Sequence, residues 1–244
     1  MLKNSLNVII IAVAVVISSY LFSNAFQNRN KSNDTISVTG SGKKDFVSDL
    51  IVWSGSFSKK SMTLKEAYAE LDLDREKIKR YLSSKGIAAN EMVFSAVIFN
   101  KDIETTYNEN GTTRQQIFTG FTLTQSVSIQ SKEVNKIENL SRQSSELINS
   151  GVEFYSNAPE YYYTKLAELK IKMIAEATKD ASVRAKSIAE NADASLGNLK
   201  KSDMGVFQIT GQNSSEDFSY GGSFNTQSKN KTANITVRLV YQVN

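Results

Sequence analysis

The feature that most constrains this chain is an uncharged stretch near its N-terminus. No charged side chain occurs between Asn4 and Asn28, and residues 8–17 (VIIIAVAVVI) are all apolar. The run from Leu6 to Phe26 is long enough to cross the hydrocarbon core of a bilayer, which takes a helix of roughly 20 residues. Its apolar side chains would cover all sides of a helix, which disfavours an amphipathic helix packed on a core. We therefore expect an N-terminal membrane segment at residues 6–26, followed by an exported domain.

This segment fits two alternatives. A cleaved signal peptide would begin at the basic Lys3 and would end with small residues at Ser23 and Ala25, with cleavage after Ala25. An uncleaved transmembrane anchor would place Tyr20 and Phe22 near a membrane interface. Basic residues occur on both sides of the run, so charge leaves the orientation undecided. Both alternatives predict a protein of the cell envelope whose domain lies on the periplasmic or exported side.

The domain boundaries follow from this division. Residues 1–33 comprise the membrane segment and a polar tether, and residues 34–244 are long enough for one exported domain. The chain has a net charge of +4, and its basic residues occur as scattered pairs without interleaved aromatic residues. This pattern is typical of a solvated surface, so we expect no nucleic-acid site. The chain has no cysteine, so its core must hold the exported domain without disulfides.

Composition also excludes several kinds of chemistry. The chain contains no histidine and no cysteine, which removes histidine-based triads, thiol catalysis and Cys/His zinc sites. Ser56 and Lys59 have the Ser-x-x-Lys spacing, but they lie near the end of a predicted strand, where this spacing does not place them on one face. Asp72 and Asp74 lack the other ligands of a calcium loop. We expect no catalytic residue, metal site or cofactor, and no enzyme.

Periodicity predicts an α+β fold with largely antiparallel sheets and three main helices after the N-terminal segment. The predicted order is ββαββαβαββ. The predicted strands span 36–40, 46–58, 92–99, 117–130, 152–155, 204–210 and 235–243, and the predicted helices span 63–86, 132–148 and 160–194. Gly42 should break the first strand, Asn110-Gly111 should form a turn, and Pro159 should open the third helix.

Side-chain spacing further predicts which residues are buried. Thr63 and Glu66 have capping-box spacing at the start of the first predicted helix. The strand at 117–130 alternates between apolar and hydroxyl side chains, so one face should be buried. The second helix should bury Val134, Ile137, Leu140, Leu147 and Ile148. The third helix should pack through a seam formed by Leu166, Leu169, Met173, Ala177, Ala181, Ala185, Ile188 and Ala192.

Two aromatic clusters are the candidate interaction residues. A polar loop at 211–230 is too long for an ordinary connection and contains Phe218, Tyr220 and Phe224. Three tyrosines at 161–163 should lie at a helix start and cannot all face inward, and we take Tyr161 and Tyr162 as candidate contact residues. Exposed aromatic side chains are typical of protein interfaces. The solvent-facing side of the strand at 117–130 is a further candidate contact surface.

Three segments resemble the SIMPL domain family. They are ISVTGSG at 36–42, SDLIVWSGSF at 48–57 and AEATKDASVRAKSIAENADASLG at 175–197. Two positions depart from the pattern: Ser48-Asp49 stands where the family often has Pro-Asp, and Asp193 stands where it often has glycine. The resemblance implies an α+β fold, an exported or envelope location in bacterial members, and ring-like or channel-like homo-oligomers in some members. It implies no known enzymatic activity.

These observations lead to two functional hypotheses. The first is a non-enzymatic cell-envelope protein whose exported domain self-associates as an assembly or interaction scaffold. The second is a monomeric envelope module that binds a small molecule, a peptide or a glycan. The sequence does not identify a protein partner.

Overall fold

A computed structural model describes residues 2–31, 34–108, 111 and 113–243, and in the N-terminal helix it describes the side chains from Ile11 to Phe26. Asn110 of the predicted Asn110-Gly111 turn lies outside the described residues. Gly111 has a φ of +79°, and its N–H donates to the carbonyl of Asn108 at 2.9 Å. A glycine adopts this left-handed conformation readily, which fits a turn between two paired strands.

The N-terminal helix α1 spans Leu2–Lys31. Large apolar side chains from Ile11 to Phe26 are exposed on it. Among the residues that the structure describes, no helix is both long enough and apolar enough to cross a membrane.

The remaining regular elements follow in chain order. They are β1 (Thr35–Val47), β2 (Leu50–Ser61), α2 (Leu64–Ser84), β3 (Met92–Phe94), β4 (Ile98–Tyr107), β5 (Thr113–Ser131), α3 (Val134–Gln143), β6 (Phe154–Ser156), β7 (Glu160–Tyr162), α4 (Leu166–Asn191), β8 (Leu196–Met204), β9 (Gln208–Gly211), β10 (Ser223–Phe224) and β11 (Asn230–Val243). Short 3-10 turns span Ala89–Glu91 and Ser144–Ser150.

These strands form two sheets that share no strand. In the first sheet β11 is central, with β1 on one side and both β8 and β9 on the other, and β10 pairs with β9. In the second sheet β2 pairs with β5, β6 and β7, and β5 also pairs with β3 and β4. Every pairing is antiparallel except that of β9 with β10. The chain passes from the first sheet to the second through Ser48 and Asp49.

The α+β class and the largely antiparallel sheets are therefore confirmed. The predicted order with three main helices is not reproduced, because the described residues form four α-helices and eleven strands. The predicted strand at 92–99 is two strands, β3 and β4. Pro159 precedes the strand β7 instead of opening a helix, because residues 160–162 pair with β2, with Tyr161 opposite Ile51.

The second sheet packs against α2 and α3 to form the larger core, in which Trp53, Phe57 and Ile129 are fully buried. The side chain of Thr63 accepts a hydrogen bond from the N–H of Glu66 at 3.3 Å and caps α2, as its spacing predicts. The buried face of β5 and the apolar stripe of α3 also match the prediction, apart from Ile148. That side chain is exposed because the chain leaves α3 for a 3-10 turn at residue 144.

The helix α4 covers the first sheet, and its contact with β1 corrects the interpretation of Gly42. The strand β1 continues through Gly42. A Cβ atom at Gly42 would lie 2.7 Å from the carbonyl oxygen of Met173, so the glycine gives α4 room to lie against the strand. The buried seam of α4 follows the prediction through Ala185 and then continues to Ala189, while Ile188 and Ala192 are exposed. Small side chains at four-residue intervals let the backbones of helix and strand approach closely.

Candidate interaction surfaces

The long loop after β9 is held by a buried glutamine. The side-chain carbonyl of Gln208 accepts hydrogen bonds from the N–H groups of Ser219 and Ser223, at 3.2 and 3.0 Å, and from the Ser223 hydroxyl at 2.7 Å. Its amide donates to the carbonyl of Ser219 at 2.7 Å. One buried side chain thus fixes two points of the loop that are four residues apart, which limits the motion of the residues between them.

A buried lysine holds the second half of the same loop. The Lys231 amine is almost fully buried and donates to the backbone and side-chain carbonyls of Asn225. Glu216 accepts hydrogen bonds from the Asn225 amide and, at 3.1 Å, from the N–H of Gly211. Burial lowers the pKa of Lys231 to about 8, although the nearby Glu216 carboxylate acts in the opposite direction. The loop is therefore tied to β9 and β11 by the buried side chains of Gln208 and Lys231.

Two of the predicted interaction residues are exposed on this loop. Tyr220 is fully exposed, and 64% of the Phe218 side chain is accessible. Both line a groove of about 470 Å³, together with Val206, Gln208 and Thr236. The loop therefore presents aromatic side chains to solvent from a fixed backbone.

The other three predicted residues lie where the two sheets meet. The rings of Tyr162 and Phe224 are 6.4 Å apart, so these two residues contact each other across the sheets. Tyr161 is buried in β7, and its N–H donates to the carbonyl of Thr226 at 2.7 Å. Tyr162 and Phe224 form one site, Phe218 and Tyr220 form another, and Tyr161 presents little surface.

A carboxylate on α3 strengthens this junction. Glu138 accepts hydrogen bonds from the amine of Lys229 at 3.0 Å, the guanidinium of Arg142 at 2.9 Å and the hydroxyl of Tyr161 at 3.2 Å. The hydrogen bond from Lys229 is the largest cause of the lowered pKa of Glu138. Burial is the main cause of the raised pKa of Tyr161. These groups fix the end of the long loop against the second sheet.

Asp49, in the connection between β1 and β2, makes a polar contact at the start of α4. Its carboxylate accepts hydrogen bonds from the N–H and the hydroxyl of Thr164, both at 2.7 Å. Thr164 lies two residues before α4, so Asp49 fixes the entry to that helix. The preceding N–H of Ser48 donates to the carbonyl of Lys229 at 2.9 Å, a bond that a proline at this position could not form.

The solvent-facing side of β5 is partly occupied by contacts within the chain. The Thr122 hydroxyl donates to Asp102 at 2.6 Å, and the amine of Lys60 lies 3.0 Å from the same carboxylate. The hydrogen bond from Thr122 is the largest cause of the lowered pKa of Asp102. The two strands β4 and β5 are thereby joined to β2.

An apolar face on β4 is not predicted from the sequence. Phe99, Ile103 and Tyr107 are exposed on one side of this strand. They lie at every fourth position of β4, which extends eight residues beyond the predicted strand at 92–99. The apolar residues at 99, 103 and 107 were the available signal, because every second residue of a strand lies on the same face.

The candidate catalytic and metal-ligating residues are engaged in structural contacts. The amine of Lys59 lies 3.0 Å from the buried carboxylate of Asp74. Asp72 pairs with Arg75 at 3.4 Å. Within the part of the chain that the structure describes, no group of three or more acidic, histidine or cysteine side chains is arranged to hold a metal ion.

Comparison with protein families gives one result that covers most of the chain. Residues 36–241 match the SIMPL family, which is described as "Protein of unknown function (DUF541)". A search of curated proteins found no match. The matched range includes both sheets, the glycines of β1 and the alanine seam of α4. The chain therefore belongs to the SIMPL family.

Proposed function

We propose that this protein is a non-enzymatic scaffold of the cell envelope whose domain self-associates. The observation that carries the proposal is the exposure of Phe218 and Tyr220 on a loop fixed by Gln208 and Lys231. Aromatic side chains supply much of the binding energy in protein interfaces. A loop that is already ordered loses little further entropy on binding, so such a surface suits repeated contacts between copies.

The envelope location is part of the same proposal. Its support is the uncharged run at residues 6–26 and the exposed apolar side chains that the structure shows on α1 between Ile11 and Phe26. Transfer of these apolar side chains from water into the lipid of a membrane would be favourable. Membrane fractionation of cells that express the chain, followed by N-terminal sequencing of the mature protein, would test both the location and the cleavage of the segment. Recovery of the intact chain only in the soluble fraction would contradict a membrane anchor.

The molar mass of the purified protein tests self-association. We expect light scattering on a sizing column to give a defined multimer, both for the full chain in mild detergent and for residues 34–244. The shorter chain retains both hydrophobic cores, since every residue of these cores that the structure describes follows residue 34. A monomer at all concentrations in both preparations would exclude the scaffold function.

The groove beside Tyr220 favours a second candidate function. Its volume of about 470 Å³ lies within the range of sites that bind small ligands, roughly 300–1,000 Å³. In this alternative the protein is a monomeric envelope module for a small molecule, a peptide or a glycan. Screening such compounds for a rise in melting temperature would test it, because a ligand that binds only the folded state stabilises that state. The alternative requires that Tyr220→Ala abolish the rise, while Phe99→Ala, on a different surface, retains it.

A further inference from the structure

A cavity at the start of α4 is separate from the aromatic loop. It has a volume of about 350 Å³ and lies between the end of β1 and the first turns of the helix. Phe46 and Tyr163 line it, with their ring centres 4.9 Å apart, and Leu169 and Met173 are further apolar lining residues. No residue of the loop lines the cavity. The loop of the same copy therefore leaves it open.

The border of this cavity carries a net positive charge. Lys44, Lys165 and Lys172 line it, and none of the three amines forms an ion pair with a described residue. Glu168 and Glu176 also line the cavity, which leaves one net positive charge. The N-terminal end of α4 adds a partial positive charge from its free N–H groups. An occupant with an aromatic ring next to a carboxylate would complement this site.

The aromatic loop has the complementary chemistry. No lysine or arginine occurs from Ser202 to Ser228, whereas Asp203, Glu216 and Asp217 are acidic. Glu216 is engaged within the loop. Asp217 is exposed and lies in sequence beside Phe218, three residues before the fully exposed Tyr220. The loop therefore carries an exposed carboxylate and an exposed aromatic ring three residues apart in sequence.

We propose that Tyr220 of one copy inserts into the α4 cavity of a second copy. In this contact Asp217 faces the lysines at the border of the cavity, and the ring of Tyr220 lies beside Phe46 and Tyr163. The volume of about 350 Å³ is within the range of sites that hold small ligands, so it accommodates one aromatic side chain. The inference rests on the proposed self-association and assigns the two surfaces that meet.

The contact is heterologous, because the loop and the cavity are different surfaces of the chain. Each copy would donate one loop and accept another, so the assembly grows head to tail and closes as a ring or continues as a filament. A symmetric dimer through one shared patch would not use this pair of surfaces. This distinction makes the proposal testable by mixing variants.

The first experiment uses two variants of the full chain. Tyr220→Ser removes the inserted ring and retains the cavity, and Lys165→Glu combined with Lys172→Glu reverses the charge of the cavity and retains the loop. We expect each variant alone to be monomeric, with at least a tenfold weaker association, and an equimolar mixture to form a one-to-one dimer. Lys200→Glu is the control: it reverses one exposed charge on β8 and should leave the mass of the wild-type multimer unchanged. All four positions are exposed, so unchanged melting curves would confirm that the variants fold.

A second experiment places the two surfaces in contact chemically. Since the chain has no cysteine, mixing Gly221→Cys with Glu168→Cys allows a disulfide between copies on mild oxidation, and both variants keep Tyr220 and the lysines of the cavity. Both positions are exposed, and Glu168 lines the cavity. We expect efficient cross-linking of this mixture, and little when Gly221→Cys is mixed with Val183→Cys, another exposed position of α4. If Tyr220→Ser leaves the wild-type multimer intact and the first cysteine mixture fails to cross-link, this inference is overturned and the scaffold function stands. A monomeric wild-type chain would overturn both.

Discussion

Gly40 of β1 lies directly against the backbone of Ala177 in α4. A Cβ atom at Gly40 would lie 2.2 Å from the carbonyl oxygen of Ala177 and 2.3 Å from the backbone nitrogen of Ala181. The strand also meets the helix through a hydrogen bond from the N–H of Ser41 to the carboxylate of Asp180 at 2.9 Å. This bond is the largest cause of the lowered pKa of Asp180, and the neighbouring Arg184 adds to it. The glycines of the first strand and the alanines of the helix are therefore the two sides of one contact.

Gly40→Ala should destabilise the domain strongly. The added methyl group would meet backbone atoms, which cannot turn aside as a flexible side chain can. Overpacking of this kind costs about 1–3 kcal/mol and sometimes more, and chemical denaturation with a matched wild-type curve would measure it. Gly221→Ala is the control, because nothing lies within 4 Å of its added Cβ atom. Equal stability of the two variants would show that α4 does not pack on β1 as described.

Asp193→Gly should stabilise the end of α4. Asp193 has a φ of +51°, and the following N–H of Ala194 donates back to the carbonyl of Ala189 at 3.0 Å, an arrangement that usually places glycine at this position. Removing the Cβ atom relieves the left-handed conformation, and we expect a gain of about 0.5–1 kcal/mol in the free energy of unfolding. Asp193→Ala retains the Cβ atom and should give no gain. A loss of stability in the glycine variant would contradict this assignment.

The pKa of Lys231 predicts an unusual dependence of stability on pH. In the folded protein burial lowers this pKa from 10.5 to about 8. Between pH 8 and 10.5 the unfolded chain keeps a proton that the folded protein has released, so the free energy of unfolding should rise with pH in this window. At 1.36 kcal/mol per pH unit, the rise amounts to roughly 3 kcal/mol.

Lys231→Met isolates this contribution. The substitution retains a long side chain and removes the titrating group, so the wild type should gain stability relative to the variant as the pH is raised from 8 to 10.5. Denaturation curves of both proteins at several pH values give the difference, in which the titration of all other groups cancels. A constant difference across the window would show that the amine is not buried as a cation below pH 8.

The sequence correctly predicts those elements that depend on contacts between residues close in sequence. Thr63 and Glu66 lie three residues apart, and their hydrogen bond forms as the spacing predicts. The alternation from residue 121 to 129 likewise follows the faces of a strand, with Leu123, Val127 and Ile129 buried. The exposure of Phe218 and Tyr220 could be expected from the polar composition of their loop. In these cases the decisive neighbours lie within a few residues of each other.

The wrong predictions concern residues whose conformation depends on contacts with residues distant in the sequence. Gly42 resembles a strand breaker until Met173 is placed beside it, 131 positions later in the sequence. Residues 160–162 form a strand because β2, more than 100 residues earlier, offers an edge that pairs with them. The hydrogen bonds from Gln208 and Lys231 to the loop could not be predicted either, because a glutamine or a lysine in a strand gives no sign of being buried. Tertiary contacts override local propensity at such positions.

The exposed side of β4 provides the last prediction. Phe99 and Ile103 lie on one face of the strand, on either side of Lys101, and both are exposed. Exposed apolar patches often mark interaction sites. Replacing both by threonine retains a residue type that suits strands and removes apolar surface from contact with water. We expect the double variant to unfold within about 0.5 kcal/mol of the wild type, as surface substitutions usually do. It should also keep the wild-type mass in light scattering, because the proposed contact between copies uses the loop and the α4 cavity. Leu123→Thr is the control, because Leu123 is buried and pairs with Phe99. This variant keeps Phe99 and Ile103 but should be less stable than the wild type. Weaker association of the double variant at wild-type stability would contradict this expectation and would add the exposed face of β4 to the surfaces that join copies.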